Sequence, residues 1–247
     1  MNKSTHLKQR LRKLHLTHIA EHYEAIAREA AGESLSHVDY LHRLIDAEAN
    51  VRYERSVARR IRDARLPLVK TLDSFDWSWP EEINKAAVTD LFRMQFIEHK
   101  ANAVLLGGVG LGKTHLALAL AHSACLENIP VLFTTAVQIV NTLGAAQATH
   151  NLHKALKAYL KPRLLVIDEL GFVPMDKESA DLFFQVISSR YEQSSTIITT
   201  NIAYNEWAGI FDNNTPIAAA ILDRLVHHCY TIVIKGDSYR MHTRNTK

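Results

Sequence analysis

Cysteine is almost absent from this chain. Cys125 and Cys229 are the only two in 247 residues and lie far apart, without metal-ligand spacing. That excludes a disulfide framework or a thiolate zinc centre and predicts reduced, packed side chains. No apolar run approaches the roughly 20 residues that a membrane span requires. The first residues, Met1-Asn2-Lys3-Ser4-Thr5-His6, lead into a charged amphipathic segment and not an apolar signal core, so the expectation is a soluble, cytoplasmic protein with no membrane partner. There is no internal repeat or low-complexity tract, and no acidic triad attributable to DNA strand transfer. Glycine is scarce too, at nine residues.

Four of those glycines fall in one stretch, Gly107-Gly108-Val109-Gly110-Leu111-Gly112-Lys113-Thr114. It is entered from the apolar run Ala103–Leu106 and followed by His115-Leu116-Ala117-Leu118-Ala119-Leu120-Ala121. This is the spacing of a phosphate-binding loop between a strand and a helix, and it points to a nucleoside triphosphate. The glycines let successive N–H groups turn inward, and the helix adds its positive N-terminal end. Residues 107–115 are therefore the expected ATP contacts. Lys113 reaches the outer phosphates as a point charge, and the Thr114 hydroxyl joins a magnesium shell.

A second run, Leu164-Leu165-Val166-Ile167, reads as a buried parallel strand ending in Asp168-Glu169. Asp168 is placed in the magnesium shell with Thr114, and Glu169 is the expected base for the water that attacks the γ-phosphate. A third strand, Thr196-Ile197-Ile198-Thr199-Thr200, delivers Asn201. Ligands of open parallel sheets sit beyond the carboxyl ends of the strands, which puts Asn201 near the γ-phosphate.

Net charge is only +3, but it is uneven: residues 1–70 hold 14 Lys/Arg against 9 Asp/Glu, leaving 15 against 17 for the remainder. Lys8, Arg10, Arg12 and Lys13 form one basic cluster, and Arg52, Arg55, Arg59, Arg60, Arg62 and Arg65 another. Such clusters suit DNA phosphates, as they also suit a solvated helix face.

Leu7, Leu11, Leu14, Tyr23 and Ile26 lie at helical spacings that predict one amphipathic helix closed by Gly32. Ser36 with Asp39 reads as a capped start of another, which Pro67 ends. The expected organisation is a helical N-terminal domain, 1–66, that binds DNA or a partner. A linker, 67–82, follows, with its aromatics Phe75, Trp77 and Trp79 docked on the next domain. Residues 83–247 then form an α/β nucleotide-hydrolysing domain with a mostly parallel sheet between helices.

Histidine supplies two decoys among its 14 residues. His18-Ile19-Ala20-Glu21-His22 fits an inverted zinc-peptidase pattern but has no strong third-ligand motif, and a plain helix surface is expected. His227 and His228 are adjacent, hence expected on different faces and unsuited to sharing a metal. Near the C-terminus, Arg224 follows the apolar stripe of Ala218–Leu222, and Arg240 follows the strand Thr231–Ile234. Either can lend charge to a γ-phosphate, in its own subunit or a neighbour's.

Taken together, Leu72–Asp76, the loop through Ala117, Val166–Gly171, Ala180–Gln185, Ile198–Asn201, Ala220–His228 and Ile234–Arg240 resemble the IstB-type AAA+ ATPases, helpers of insertion-sequence transposition, with the DnaC helicase loaders as close relatives. The phosphate loop departs from the family's usual Gly-Pro-Pro-Gly-Thr-Gly-Lys-Thr and is closer to that of the DnaA initiators, but it keeps the working residues. The resemblance implies an AAA+ ATPase using ATP and Mg2+. In it Asn201 is the sensor-1 residue, Arg224 the arginine finger and Arg240 a sensor-2-like arginine. It also implies homo-oligomers joined by arginine-finger contacts on double-stranded DNA, and a transposase partner. Thr134, Thr135, Lys154 and Lys157 join the N-terminal basic residues as expected DNA contacts. The alternative is a DnaC-like loader whose partner is a replicative helicase.

Overall fold

The computed structural model describes residues 3–239, which fall into two compact units, 1–59 and 60–247.

The small unit is helical. Helix α1 spans Lys3–Lys13, α2 Thr17–Gly32 and α3 begins at His37 and runs to Asp63. The single helix expected up to Gly32 is in fact two. His15 takes a left-handed φ of 59°, and Leu16 N–H reaches back to Leu11 O, closing α1 before α2 starts. Hydrophobic spacing carried on across this break because apolar residues recur at helical intervals on both sides of it; a one-residue reversal leaves no mark on a periodicity. The capped start of α3 forms as expected, with Asp39 N–H donating to Ser36 Oγ and Ser36 Oγ donating to the Asp39 carboxylate at 2.6 Å. Ile19, Ala20, Ala30, Leu44 and Val57 are buried, and Glu48 among them. Burial opposes ionisation of Glu48, but Ile19 N–H and the Arg52 guanidinium donate to it and hold its carboxyl below the usual range.

The large unit continues with β1 (Glu82–Ile83), α4 (Lys85–Leu91), α5 (Gln95–Glu98), β2 (Asn102–Gly107), α6 (Lys113–Leu126), β3 (Val131–Thr135), α7 (Ala136–Ala148), α8 (Leu152–Leu160), β4 (Leu164–Leu170), α9 (Lys177–Arg190) and β5 (Ser195–Thr200). A 3-10 segment (Tyr204–Phe211), α10 (Thr215–Val226) and β6 (Cys229–Lys235) complete it. The sheet order is β1-β6-β2-β5-β4-β3, parallel throughout except for the edge strand β1.

Strand residues alternate between two cores as the pleat requires. Ala103, Leu105, Leu164 and Val166 face the core built with α4, α5 and α6, while Val104, Leu165 and Ile167 face the one built with α7, α9 and α10. Helix α6 is apolar all round, with Leu116 to Ala121 buried without interruption, because it lies under the rest of the unit. Cys125 is buried and Cys229 half-buried; burial pushes each thiol up to about 11. No helix among the described residues is long and apolar enough to cross a membrane.

Residues 67–82 are not a free linker. Phe75 is buried in the first core with Leu66, Leu72 and Trp77 against it, and Phe133 N–H donates to Ala64 O. The aromatics expected to dock do so, and they bind the whole segment to the large unit.

Candidate functional site

The phosphate loop leaves the carboxyl end of β2 and enters α6 through two left-handed glycines, Gly110 (φ 80°) and Gly112 (φ 87°). Gly112 is required twice over, since a Cβ there would also stand 2.6 Å from Phe75 Cε2. Lys113 is buried, and its ammonium donates to Gly107 O at 2.7 Å and Gly108 O at 2.6 Å. Thr114 Oγ1 donates to Asp168 Oδ1 at 3.0 Å, joining the loop to the end of β4. Hydroxyl and carboxylate oxygens of this kind suit a hard divalent cation.

Adjacent strand residues normally point to opposite faces, so Asp168 and Glu169 should not serve one site. A bulge resolves this. Ile167 pairs with Ile198 and Leu170 with Thr200, leaving β4 one residue longer than β5, and Glu169 takes a left-handed φ of 60°. Asp168 stays buried beside Thr114, whereas Glu169 is exposed on the cavity above the loop.

Thr199 holds this irregularity in place. Its buried hydroxyl donates to Asp168 Oδ1 and accepts from Glu169 N–H at 3.0 Å. Sequence reading passed over Thr199, because β5 becomes the strand between loop and acidic pair only through the order β2-β5-β4. Asn201, two residues on, is exposed just beyond the cavity, which reaches Thr199.

The cavity measures about 470 Å³ and runs from the loop and Glu169 to Phe75, Trp79 and Tyr239. Its apolar side comes from the 67–82 segment. Phe75 meets Trp77 edge-on at 4.9 Å, Trp79 does the same to Tyr239 at 5.5 Å, and the Trp79 indole N–H donates to Asp237 O. His115 also lines it, and its Nε2 lies 3.1 Å from both Thr71 O and Ser74 Oγ. Burial pushes the His115 pKa down, so the ring is neutral and tethers the 71–75 turn to α6.

Arg224 lies elsewhere. The end of α10 is fastened to the first residue of β2: the Asn102 amide donates to Leu225 O at 3.0 Å and Asn102 N–H to His228 O at 2.7 Å. The loop leaves the opposite end of that strand, about 17 Å away at the usual strand rise. Arg224 donates to Ala220 O and stacks 4.9 Å over Phe184. It cannot serve its own subunit's cavity. Arg240 lies outside the described residues.

The expected DNA contacts separate by exposure. Arg10, Arg12, Lys13, Arg59, Lys154 and Lys157 are exposed. Lys8 is drawn to Glu24 at 3.5 Å, and Arg60 is half-buried. Thr134 is buried and bonds to Gln138, whereas Thr135 is half-buried at the strand end, where its Oγ1 caps α7 by accepting from Gln138 N–H. They end a core strand, and the preference of threonine for strand ends and N-caps explains both.

A doubly wound sheet with a phosphate loop after one strand and an acidic pair two strands away, across a polar strand, defines a phosphate-loop type of nucleotide-binding domain. The family model described as IstB-like ATP binding protein matches residues 9–247, and the chain belongs to that family. A protein named as an ATP-binding protein of insertion sequence IS21, from Pseudomonas aeruginosa, is 38% identical over 94% of this chain and 87% of its own length. Its counterpart for IS5376 from Geobacillus stearothermophilus is 37% identical over 93% and 91%. Among solved structures, AMPPCP-bound DnaA from Aquifex aeolicus superposes with a TM-score of 0.59 at 17% identity over 72% of this chain and 54% of that one. DnaI does so at 0.56 with 21% identity over 72% and 92%. Likeness at these identities is one of fold.

Proposed function

We propose that this protein is an ATPase that assists DNA transposition. ATP-bound copies assemble on double-stranded DNA and recruit or stimulate a transposase, and hydrolysis to ADP and phosphate dissolves the assembly. The observation that carries this reading is the distance between Arg224 and its own cavity. A finger at one end of the sheet and a phosphate loop at the other are complementary only between copies, so turnover requires a neighbour. Relatedness to proteins named for insertion sequences supports the transposition context.

Within the cavity, Lys113 and the loop amides hold the β- and γ-phosphates of the substrate ATP. Thr114 and Asp168 would hold Mg2+, which when bound neutralises charge on the phosphate oxygens. Glu169 accepts the proton of the attacking water, and Asn201 orients that water or the γ-phosphate. Thr199 fixes the angle between the two carboxylates. The exposed basic residues meet DNA phosphates, so binding is weakly sequence-dependent and falls with salt.

Sedimentation of wild type and Lys113→Ala on random duplex DNA, with ATP or ADP over a range of salt, tests the reading. Large assemblies for wild type with ATP and DNA alone are expected. A protein that stays monomeric on DNA in every nucleotide state overturns it in favour of a helicase-loading role, which pull-down with a hexameric helicase would then detect.

A further inference from the structure

The adjacent histidines expected on different faces in fact converge. Helix α10 ends at Val226, and the chain turns through His227 and His228 into β6, so the 100° step between neighbours in a helix no longer applies. Their ring centroids stand 4.2 Å apart. The Glu192 carboxylate, on the turn after α9, completes a group in which each residue offers one ligand atom and all three atoms lie within 4.8 Å of one another. We infer that Glu192, His227 and His228 form a binding site for a divalent transition-metal ion of the zinc class, separate from the nucleotide site.

Two imidazole nitrogens and one carboxylate oxygen are a donor set for a borderline metal and not for magnesium, whose preference is all-oxygen. The backbones carrying the ligands are fixed in advance. Buried Arg190 donates to Tyr159 O at 2.7 Å and Pro162 O at 3.0 Å and also to Ser195 O, pinning the turn that bears Glu192. Asn102 ties down the other segment through Leu225 O and His228 O, and its Oδ1 accepts from Thr196 N–H, joining that segment to the strand after the Glu192 turn. His227 Nδ1 stands 3.9 Å from Glu192 Oε1 and 3.1 Å from Tyr191 OH, so an ion taking Nδ1 exchanges the tyrosine contact for a metal bond.

Two further features favour a cation. The carboxyl end of the 12-residue helix α10 points its negative end at the site. A cavity of about 470 Å³ opens beside the pair and is also lined by His99, which leaves room for water or a third imidazole. The ion would sit one helical turn beyond Arg224.

The probe is Zn2+ alone, titrated against a competing chromophoric chelator into the full chain with excess Mg2+ and ATP holding the nucleotide site. One equivalent is expected to bind wild type. Glu192→Gln, His227→Ala and His228→Ala are each expected to weaken it at least about tenfold. Their circular dichroism and ATP binding should stay unchanged, since all three positions are exposed. The double substitution His18→Ala/His22→Ala should leave the affinity as it is. No Zn2+ bound by wild type, affinities in the three variants within twofold of wild type, or loss in the His18/His22 variant instead, each overturns the site.

Discussion

The two units of this chain treat their surfaces in opposite ways. In residues 1–59 few apolar side chains are buried, while Leu7, Leu14, Val38, Leu41 and Ile45 are exposed. The larger unit encloses two cores, one on each face of its sheet, and places its buried polar residues at the candidate nucleotide site or in the framework: Lys113 and Asp168 in the first use, Arg190, Asn102 and Thr196 in the second. A unit with a full core can hold a buried lysine, a bulged strand and a left-handed glutamate without losing its shape. The three-helix unit holds left-handed His15 and Ser34 and one buried carboxylate, Glu48, on few buried apolar side chains, and leaves many apolar and basic side chains exposed.

The proposed chemistry belongs to composite sites of the larger unit, and showing otherwise is the strongest way to break this contrast. Arg224→Ala should lower steady-state phosphate release by about 1,000-fold, the scale of an arginine finger. Mixing it with Glu169→Gln should restore part of the rate, because one interface then has both groups. Failure to complement would place Arg224 outside the transition state.

Thr199→Val tests whether the bulge is held for catalysis. It removes the hydroxyl shared by Asp168 and the Glu169 amide, and kcat should fall about 10- to 100-fold with KM for ATP little changed. Thr199→Ser should recover most of the rate. A matching loss of ATP binding would make Thr199 merely structural.

Glu48→Ala sharpens the other side. It leaves Ile19 N–H and Arg52 without their buried acceptor and should destabilise residues 1–59 by about 1–3 kcal/mol. Amide hydrogen exchange should report this in α2 and the start of α3 but not in β2, β4 or β5. Since the folded-state pKa of Glu48 is lowered, its contribution is complete at neutral pH and is lost as pH falls through the carboxylate range. The wild-type advantage should therefore vanish in acid.

The smallest effect concerns DNA. Lys154→Ala and Lys157→Ala should each reduce the slope of log affinity against log salt by about one if they meet phosphates, with no change in ATP turnover off DNA. An unchanged slope would remove α8 from the DNA surface.

The loop, both acidic residues and the parallel strands were legible because each is local: a glycine spacing, an apolar run, a carboxylate at its end. The docking of residues 67–82 was visible only as a surplus of aromatics, and their place at the nucleotide cavity was not. Helix α1 ran into α2 in the pattern because His15 reverses the chain without disturbing the apolar period. Thr134 and Thr135 read as DNA contacts after a buried strand; the strand is legible, but not that Thr134 is buried and that Thr135 caps α7.

The sequence by itself determined the glycine loop between β2 and α6, because backbone curvature at glycine, a strand leading in and a helix leading out are encoded within about 20 contiguous positions. Only the tertiary structure decided that Thr199 stands between loop and carboxylates, that Arg224 faces away from its own cavity, and that His227, His228 and Glu192 meet. Strand order and helix ends bring together residues 30 or more positions apart, and no local pattern carries that information.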